Sequence, residues 1–499
     1  MHFVRSNPLI LFLVANFLVR LAFLDWYAAP LTDELYILDQ TFFGPGRRLP
    51  MLPSLIAMLH STGADAWWSA KLISMTAGVL TIVPTFYMAR KLSISKVEPW
   101  IAAVFVAICP LVVRWSFRGM TDVVFTLFFT AAVAAAVYWV EKPKTIRLGG
   151  VIAFSGLAML TRPEAIIALP LLPILVVAHV WRRRSEGPTA ILTTLAASIW
   201  GWIPWGLWLY WRLVVNSQKG SYASTLNRNL RRIDPAYLGD ISAHFGGYAF
   251  TTLYILGPVI CVGCLMYLAD LMNRPNHVRL WSGLGFLYVG AATWFIACVH
   301  FFFSIRHMIF IYPTLIVMGT LGVWAYAQRW PKTVRVMTAI QVLSSVLVLS
   351  VGLWVTKDTF KDIKEAAIAA QQGDYKGVLR ATDYRQKKSG YFFGGRVIPY
   401  VSKARLKAGD RVMFDSFTLS EKGVEKHLAH LRKRYEVELL SDQRSRQSQF
   451  LTDDITSPVK ENGKVQRIMS RLFVWQTYRS IVVEIKGPNP RALRPPAQR

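Results

Sequence analysis

Long apolar segments alternate with short polar ones along the first two thirds of this chain. Most are close to the roughly 17 to 25 residues that a helix needs to cross a hydrocarbon layer about 30 Å thick. The pattern therefore predicts about eleven transmembrane helices, with a break at Arg162 because Pro163 disfavours helix there. The approximate spans are residues 7 to 24, 69 to 90, 99 to 114, 121 to 140, 149 to 161, 163 to 181, 189 to 211, 249 to 270, 281 to 303, 308 to 327 and 336 to 355.

The polar loops carry an asymmetric charge, because basic clusters fall on every second loop. Cationic loops are retained on the cytoplasmic side of a membrane. We therefore expect the amino terminus inside, the carboxyl terminus outside, and residues 7 to 24 as a retained helix instead of a cleaved signal. The clusters are Arg90/Lys91/Lys96, Lys142/Lys144/Arg147, Arg182/Arg183/Arg184, Arg274/Arg279 and Arg329/Lys332/Arg335.

The pattern changes after Val355. The remaining residues include 29 Lys or Arg against 16 Asp or Glu, and no segment is apolar enough to span a bilayer. Short alternating runs predict a small soluble α/β or α+β domain outside the membrane. Its expected elements are strands at residues 411 to 414, 435 to 440 and 472 to 485, and a helix at 421 to 434.

Three regions follow from these patterns. Residues 1 to 355 form the transmembrane module, whose first external loop covers residues 25 to 68. Residues 356 to 487 form the extracytoplasmic domain. Residues 488 to 499 are rich in proline and arginine, which is typical of a disordered tail.

The composition excludes several other classes of protein. Hydrophobic residues make up 53% of the chain and charged residues 17%, which is too apolar for a soluble or disordered protein. Four cysteines, all within apolar runs, exclude a disulfide scaffold. The whole chain has a net charge of +28, and the excess of 29 basic over 16 acidic residues after Val355 favours anionic lipid or an anionic glycan as a contact of the external domain. We expect no nucleic acid partner there.

Acidic residues in the membrane portion concentrate on one face. Of the 13 before residue 356, nine fall on the predicted external side. Asp33 and Glu34 lie in the first external loop, while Asp122 and Glu164 begin later spans. Charges at a membrane surface indicate a functional site because they are costly against lipid, although solvation of loop ends explains any one of them. Arginines at the same depth are Arg118, Arg162 and Arg306.

Carboxylates and guanidinium groups at a bilayer surface suit a lipid-linked phosphate. Arginine presents a planar fork of donors to phosphate oxygens, and a carboxylate can accept a proton from an attacking hydroxyl or amine. Glycosyl transfer from a polyprenyl phosphate needs both groups, because the departing phosphate gains negative charge. The chain has no Walker loop or dinucleotide glycine motif, so a nucleotide-sugar donor is not indicated.

Four segments on the predicted external face carry motifs in a fixed order. They are Pro30-Leu31-Thr32-Asp33-Glu34-Leu35-Tyr36 with Pro50-Met51-Leu52-Pro53-Ser54-Leu55, Arg114-Trp115-Ser116-Phe117-Arg118 with Thr121-Asp122, Gly156 to Glu164, and Arg306-His307 with Tyr312-Pro313. In this order they resemble the integral-membrane GT-C glycosyltransferases. The nearest branch is the protein-mannosyltransferase and aminoarabinose-transferase-like group, similar to glycosyltransferase family 39. The resemblance spans about residues 7 to 325 and leaves out the C-terminal domain.

The resemblance implies roles for the acidic residues. Asp33 would be the catalytic base, and Glu34 beside it would orient the loop or the acceptor. Asp122 and Glu164 would shape the acceptor pocket or hold a divalent cation. For Asp122 the alternative is an acid at a helix N-terminus, stabilised by the helix dipole.

The resemblance also implies a set of residues that bind the donor phosphate. Arg118, Arg162 and Arg306 would form it, with interfacial snorkelling as the alternative for each. His307 stands where many relatives have an aromatic residue. It would bind the phosphate or a metal ion, or be an interfacial histidine whose hydrogen bonds are satisfied within the protein.

The sequence thus favours an inverting glycosyltransferase, a hexosyl- or pentosyltransferase, of the cytoplasmic (inner) membrane. Its donor would be a polyprenyl-phosphate sugar and its acceptor an extracytoplasmic lipid, glycan or protein. No cofactor is required by the motifs, and a divalent cation held by carboxylates stays open. The alternative is a polytopic transporter or lipid flippase, because many spans with buried charges also describe those proteins.

Overall fold

The computed structural model describes residues 7–27, 32–45, 48–216, 238–273, 276–299, 304–327, 329–373, 375–382, 388–401, 405–448 and 475–490. The predicted tail beyond residue 490 therefore lies outside the described residues. Contacts divide the chain into two compact units. The first comprises Met1–Leu24, Ile37–Trp354 and Leu451–Leu472, and the second comprises Asp25–Tyr36, Val355–Phe450 and Phe473–Arg499.

The described chain up to Thr356 is helical. Its α-helices are α1 Pro8–Leu21, α2 Thr32–Leu38, α3 Met51–His60, α4 Ala66–Leu80, α5 Ile82–Leu92, α6 Glu98–Ala107, α7 Pro110–Ser116, α8 Thr121–Glu141, α9 Thr145–Thr161, α10 Leu171–Arg183, α11 Pro188–Tyr210, α12 Leu238–Leu256, α13 Pro258–Asn273, α14 His277–Val299, α15 Tyr312–Trp324 and α16 Pro331–Thr356. Short 3₁₀ helices cover Pro163–Ala168, Arg184–Glu186 and Ile305–Ile311, and a π-helical turn covers Trp211–Val215.

Several of these helices can cross a membrane. In the described residues six segments are long and apolar enough, or up to eight if each of two bent pairs counts as one span. Shorter apolar helices are α1, α3 and α9. The predicted polytopic helical architecture is confirmed, while the number of eleven spans stays a prediction. The six segments are Ala66–Leu92, Thr121–Glu141, Pro163–Glu186, His277–Cys298, Ile305–Trp324 and Pro331–Ala369.

The predicted break between the fifth and sixth spans is confirmed. Helix α9 ends at Thr161, and Arg162 is extended, with φ −148° and ψ 143°. A 3₁₀ helix then begins at Pro163. The proline ring disfavours the helical conformation at the residue before it, so the chain turns out of the helix at Arg162.

One predicted span is sharply bent. The apolar run at residues 249 to 270 indicated a single helix, but α12 and α13 meet at 105°. Gly257 joins them with φ 79°, a conformation that only glycine adopts at little cost. The Leu256 carbonyl at the end of α12 accepts a 2.5 Å hydrogen bond from Gln341 Nε2, so this buried acceptor is satisfied.

The second unit contains a five-stranded mixed sheet in the order β2-β1-β3-β5-β4. Strands β1, β2 and β3 are parallel, and β5 runs antiparallel to both β3 and β4. The helix predicted at residues 421 to 434 is present with the same bounds. The elements after α16 are α17 Lys361–Ala369, β1 Leu379–Ala381, α18 Lys388–Phe393, β2 Val397–Pro399, β3 Arg411–Asp415, α19 Ser416–Leu419, α20 Glu421–Arg434, β4 Tyr435–Ser448 and β5 Trp475–Pro488.

Each face of this sheet packs against helices. Met413 and Val482 join a core with Ile363 of α17, while the alternate residues of the same strands face the other way. Val412 and Ile481 join a second core with α20. The predicted small α/β domain is therefore confirmed as a sheet with helices on both faces. The predicted tail boundary at residue 488 falls within β5, because Pro488 still pairs with Tyr435 of β4.

Candidate functional site

A turn between α7 and α8, residues 117–120, carries Arg118, whose side chain is fully buried. Both ends of this turn are anchored. Ser74 Oγ on α4 donates a 3.1 Å hydrogen bond to the Met120 carbonyl, and Arg20 Nη1 on α1 donates a 2.7 Å bond to Ser116 Oγ. A Cβ at Gly78 would overlap Ser116 and Arg20, so only glycine allows α4 this close. Contacts from α1 and α4 therefore fix both ends of the turn that carries Arg118.

Arg20 also stabilises a bend in a span. Helices α6 and α7 meet at 50°, and the Ala107 carbonyl at the end of α6 accepts a 3.1 Å bond from Arg20 Nη2. A cation at a helix C-terminus is favoured by the helix dipole. Arg20 was not predicted as part of the site, although a charge within an apolar run was a signal for it.

Three predicted residues meet at the start of α8. Asp122, in the first turn of that helix, is fully buried. Arg162 Nη1 donates to Asp122 Oδ1. The same guanidinium donates two parallel hydrogen bonds to Glu164, from Nε to Oε2 at 3.1 Å and from Nη2 to Oε1 at 2.5 Å. We call Asp122, Arg162 and Glu164 the Arg162 triad.

The hydrogen bonds within the triad determine which donors and acceptors each residue still offers to a ligand. A guanidinium has five N–H donors, and the two carboxylates accept three of them from Arg162, which leaves two for a ligand. Asp122 contacts Arg162 in the break after α9, so it is more than an acid at a helix N-terminus. Its Oδ2 is buried and accepts no hydrogen bond within the described part of the chain. This oxygen is an acceptor site for a ligand.

A guanidinium lies between the carboxylates for which the sequence had allowed a divalent cation. Arg162 forms an ion pair with each of Asp122 and Glu164. Among the described residues, no three His, Cys, Asp or Glu side chains are grouped so that they could hold a metal ion.

Arg306 and His307 lie on the 3₁₀ helix Ile305–Ile311, and both are buried. Arg306 is within electrostatic range of Arg162. Tyr248 of α12 braces this segment, because its hydroxyl donates to the Ser304 carbonyl at 3.1 Å and accepts from the Ser304 amide at 3.2 Å.

The same tyrosine orients the histidine ring. Tyr248 Oη lies 3.2 Å from His307 Nδ1. A hydroxyl has one hydrogen, and Tyr248 donates it to the Ser304 carbonyl. We therefore assign the proton in the bond between Tyr248 and His307 to His307 Nδ1. In the neutral ring Nε2 is then the acceptor atom. Neither Tyr248 nor its role was predicted, because a tyrosine in an apolar helix gives no distinguishing signal.

Glu164 and His307 line the same small cleft. The structure thus brings together five of the eight predicted residues, namely the Arg162 triad and the pair Arg306-His307. Arg118 lies on its own turn next to α8. The cleft is lined by Glu164, Thr293, Ile296, Ala297, His307 and Phe310.

Asp33 and Glu34 belong to the second compact unit. They lie on the short helix α2, where the sequence indicated a loop. Glu34 is fully buried, whereas the side chain of Asp33 lies outside the described residues.

Two further buried cations were not assigned a role from the sequence. Lys71 of α4 places its ammonium 4.3 Å from the centre of the Trp67 ring. Arg114 of α7 packs its guanidinium 5.0 Å from the Trp115 ring centre. Arg114 belongs to the same motif as Arg118, and nothing in its spacing distinguished the two arginines.

Comparisons with known proteins bear on the family and the fold of the chain. Residues 45–208 match the family described as Dolichyl-phosphate-mannose-protein mannosyltransferase. No curated protein sequence matches the chain.

Two solved structures are similar to the chain. One is ArnT from Cupriavidus metallidurans bound to undecaprenyl phosphate, with a TM-score of 0.59 and 12% identity over 87% of this chain and 96% of that one. The other is the same protein in the apo state, with a TM-score of 0.54 and 12% identity over 96% and 98% of the two chains.

The fold is that of the GT-C membrane glycosyltransferases. The predicted resemblance to the mannosyltransferase and aminoarabinose-transferase-like group is confirmed by the match over residues 45–208 and by the ArnT-like fold. A multi-pass membrane protein with an ArnT-like fold is the class of protein that the helices and these comparisons define.

Proposed function

We propose that this protein transfers a sugar from a polyprenyl-phosphate donor to an acceptor on the external face of the cytoplasmic membrane. The observation that carries the proposal is a set of buried arginines beside buried carboxylates in a membrane-spanning fold. Arg118 is fully buried and Arg306 is 8% exposed. Buried cations favour an anionic ligand, because their desolvation has to be offset by an opposite charge. The ArnT structure with undecaprenyl phosphate supports a lipid phosphate as that ligand.

The chemistry of the transfer is a single displacement. Asp33 acts as the base and takes the proton from the acceptor hydroxyl or amine. The acceptor atom forms a bond to the anomeric carbon as the bond from that carbon to the phosphate oxygen breaks. The electron pair leaves with the polyprenyl phosphate, and attack from the opposite face inverts the anomeric centre. Glu34 orients the acceptor beside Asp33.

The arginines stabilise the departing phosphate. Arg118 and Arg306 take this role, because positive groups placed where negative charge develops lower the barrier. Arg162 is a positioning residue in this mechanism, since three of its donors hold Asp122 and Glu164. Its two remaining donors can add to the phosphate contacts. His307 lies beside Arg306, and its ring orientation is fixed by Tyr248.

The first test identifies the lipid that the protein holds. Wild-type protein and an Arg306→Ala variant are purified in a mild detergent, and co-purified lipids are measured by mass spectrometry. Arg329→Ala, which changes an exposed arginine of a predicted cytoplasmic loop, is the matched control. We expect a polyprenyl phosphate or its sugar conjugate with wild type and Arg329→Ala, and little with Arg306→Ala. Bulk phospholipid alone in all three samples would contradict the proposal.

The second test concerns the base. Asp33→Asn should reduce sugar transfer by at least about 10³-fold while lipid-phosphate binding persists, because a carboxamide cannot take the proton. Turnover in Asp33→Asn that equals wild type would exclude Asp33 as the base.

A transporter or flippase is the second candidate, and one observation favours it. The span formed by α12 and α13 is broken at 105°, and broken spans are typical of transporters. Movement of a labelled lipid phosphate across vesicles without any sugar transfer would support this alternative.

A further inference from the structure

Helix α20 of the second unit carries a row of basic side chains on the face opposite its core. Its apolar face packs against the sheet through Val424, Leu428 and Leu431. Successive residues of a helix are about 100° apart, so four exposed basic residues on the other side share an arc of about 80°. We call this set the lysine stripe, and it consists of Lys422, Lys426, His430 and Lys433.

Carboxylates of the described chain do not neutralise the lysine stripe. The two acidic residues of α20 lie on one flank of the helix, and one of them, Glu425, pairs with Arg479. Exposed lysines on other elements of this unit do have acidic partners, namely Lys361 with Glu365 and Lys486 with Glu438. Within the described part of the chain, no ion pair involves a lysine of the stripe. Its charge is therefore available to a partner.

Both ends of α20 are fixed by hydrogen bonds. At the N-terminus, Ser420 Oγ accepts from the Gly423 amide at 3.3 Å. At the C-terminus, Asn489 Nδ2 donates to the Arg432 carbonyl at 2.7 Å, and the Asn489 amide donates to the Arg434 carbonyl at 3.0 Å. These contacts satisfy groups that a helix leaves free at its ends. Binding to the stripe would thus order side chains only and not the backbone beneath them.

The chemistry of the stripe suits a surface with distributed negative charge. A lysine ammonium is a compact, hydrated point charge, whereas the planar fork of arginine recognises one phosphate in a fixed geometry. The stripe contains no arginine and no large apolar side chain. An interfacial helix that inserts into lipid uses an apolar face, and the apolar face of α20 is already packed against the sheet. Contact through the stripe is therefore electrostatic, without insertion.

The connection of the second unit to the membrane favours lipid over a soluble polyanion. Helix α16 belongs to a segment that is long and apolar enough to cross a membrane, and the second unit continues the chain from Val355. A tethered module meets its target at a high effective concentration. Each basic residue near an anionic leaflet strengthens binding about fivefold. A soluble glycan has no such tether to the chain.

We propose that the lysine stripe binds the anionic headgroups of the membrane that the chain spans. The stripe thereby docks the second unit on the lipid surface. This role goes beyond the proposed function and does not depend on sugar transfer.

The test measures the distance between α20 and the lipid surface in the full-length protein. A variant without its own cysteines receives Ala429→Cys, an exposed position on α20, which is labelled with a donor dye. The protein is placed in nanodiscs of phosphatidylcholine alone or mixed with phosphatidylglycerol, with an acceptor dye on a trace of headgroups. Thermal unfolding checks that each variant is folded. The stripe variant is Lys422→Gln/Lys426→Gln/Lys433→Gln, and the control with the same loss of charge at exposed lysines outside α20 is Lys361→Gln/Lys376→Gln/Lys486→Gln.

We expect phosphatidylglycerol to increase energy transfer in the parent protein and in the control. The increase should disappear at about 1 M salt, where the screening length is about 3 Å. In the stripe variant the ratio of docked to undocked protein should fall about 100-fold, from three lysines at about fivefold each.

Three outcomes would overturn the proposal. The first is equal energy transfer in the two lipid compositions, and the second is a stripe variant that responds as the control does. The third assigns the stripe to a soluble glycan: phosphatidylglycerol has no effect, but alginate changes the fluorescence of the dye in the parent protein and not in the stripe variant. Sugar transfer is not a readout here, so each of these outcomes leaves the proposed function intact.

Discussion

The Arg162 triad shows how one buried arginine can organise two carboxylates. Asp122 is fully buried, and the side chains of Arg162 and Glu164 are 13% and 15% exposed. Removing one partner from such a group leaves a buried charge without compensation, which is strongly destabilising. The three residues should therefore contribute to stability as a unit and not independently.

A double-mutant cycle tests this coupling. Asp122→Asn, Arg162→Gln and the double variant are compared by equilibrium unfolding in mixed micelles, and we expect a coupling energy of about 1 to 3 kcal/mol. The exposed pair Arg183 and Glu186 provides a control cycle, for which we expect less than about 0.5 kcal/mol. Additive effects in the first cycle would contradict the role of the triad.

His427 in the second unit gives that unit a pH dependence. Its ring lies 5.8 Å from Tyr400 and stacks on Phe414 at 6.1 Å. Burial lowers its pKa from 6.5, and His430 and Lys426 lower it further. The unfolded chain then binds a proton at higher pH than the folded unit. The contribution of the neutral His427 ring to the free energy of unfolding is complete above pH 6.5. It is lost as the pH falls through the pKa that His427 has in the folded protein.

This pH dependence can be measured on the full-length protein. Between about pH 7.5 and about pH 5.5, the thermal unfolding temperature of wild type should fall more than that of His427→Phe, which cannot take up the proton. His430→Gln removes one of the two positive groups that lower this pKa, so its profile should lie between those of wild type and His427→Phe. Equal pH profiles for wild type and His427→Phe would show that this ring does not couple to folding.

At the residue scale the sequence predicted candidates but not their partners. Asp122 and Arg162 were predicted separately, and their contact joins positions 40 residues apart. Nothing in a single sequence reports such a contact. Tyr248 was missed because a tyrosine in an apolar helix gives no signal of what its hydroxyl contacts, and the structure shows that it bonds to the backbone of Ser304.

At the scale of the elements, the bend between α6 and α7 helps to position the buried Arg118. The bend between α6 and α7 is held by Arg20, which also fixes Ser116 at the edge of the Arg118 turn. Arg20 is thus a positioning residue for Arg118 and does not need to touch the donor.

Substitution of Arg20 tests this indirect role. Arg20→Met should lower turnover about tenfold, equivalent to roughly 1.4 kcal/mol in the barrier, because Arg118 is no longer held in place. Ser116→Ala removes the same bond from the other side, so the double variant should be no slower than Arg20→Met. Independent, multiplying losses in the double variant would show that Arg20 acts by another route.

The break at Gly257 gives a second prediction for an element. Gly257→Ala should destabilise the protein by about 1 to 3 kcal/mol, because alanine is strained at positive φ and its Cβ would approach Gln341 Oε1 to 2.5 Å. Gly285→Ala is the control, since a Cβ there meets nothing within 4 Å. Thermal unfolding in detergent compares the two. A Gly257→Ala protein as stable as Gly285→Ala would mean that the bend tolerates a side chain.

The sequence predicted elements well where one local signal dominates. The helix Glu421–Arg434 and the break at Arg162 follow from amphipathic period and from proline. The bend at Gly257 was missed, because glycine inside an apolar run is common in membrane helices and does not show whether the helix continues.

At the scale of the whole molecule, the orientation in the membrane is the main prediction. Basic loops on every second connection place the loop at Arg184 inside and the C-terminal domain outside. Cysteine labelling in intact cells tests this in a variant without its own cysteines. Ala408→Cys should react with an impermeant maleimide in intact cells, whereas Ser185→Cys should react only after permeabilisation. Both positions are exposed. Reaction of Ser185→Cys in intact cells would reverse the predicted orientation.

The overall class of the protein was predictable because hydropathy and loop charge are summed over many residues. The division into units was not. The sequence assigned residues 25 to 68 to the transmembrane module, whereas contacts place Asp25–Tyr36 with Val355–Phe450. Such long-range grouping depends on tertiary packing, which composition does not report.

This grouping has a consequence for how the protein is made. The segment with Asp33 and Glu34 leaves the ribosome before Ile37–Trp354 of the first unit, while the rest of its own compact unit is synthesised after them. Long-range contacts of this kind form only when both parts of the chain exist. A nascent or truncated chain can therefore insert its helices and still lack a finished acidic segment. Synthesis of the residues after Val355, and not membrane insertion, then decides when the segment with Asp33 and Glu34 can fold.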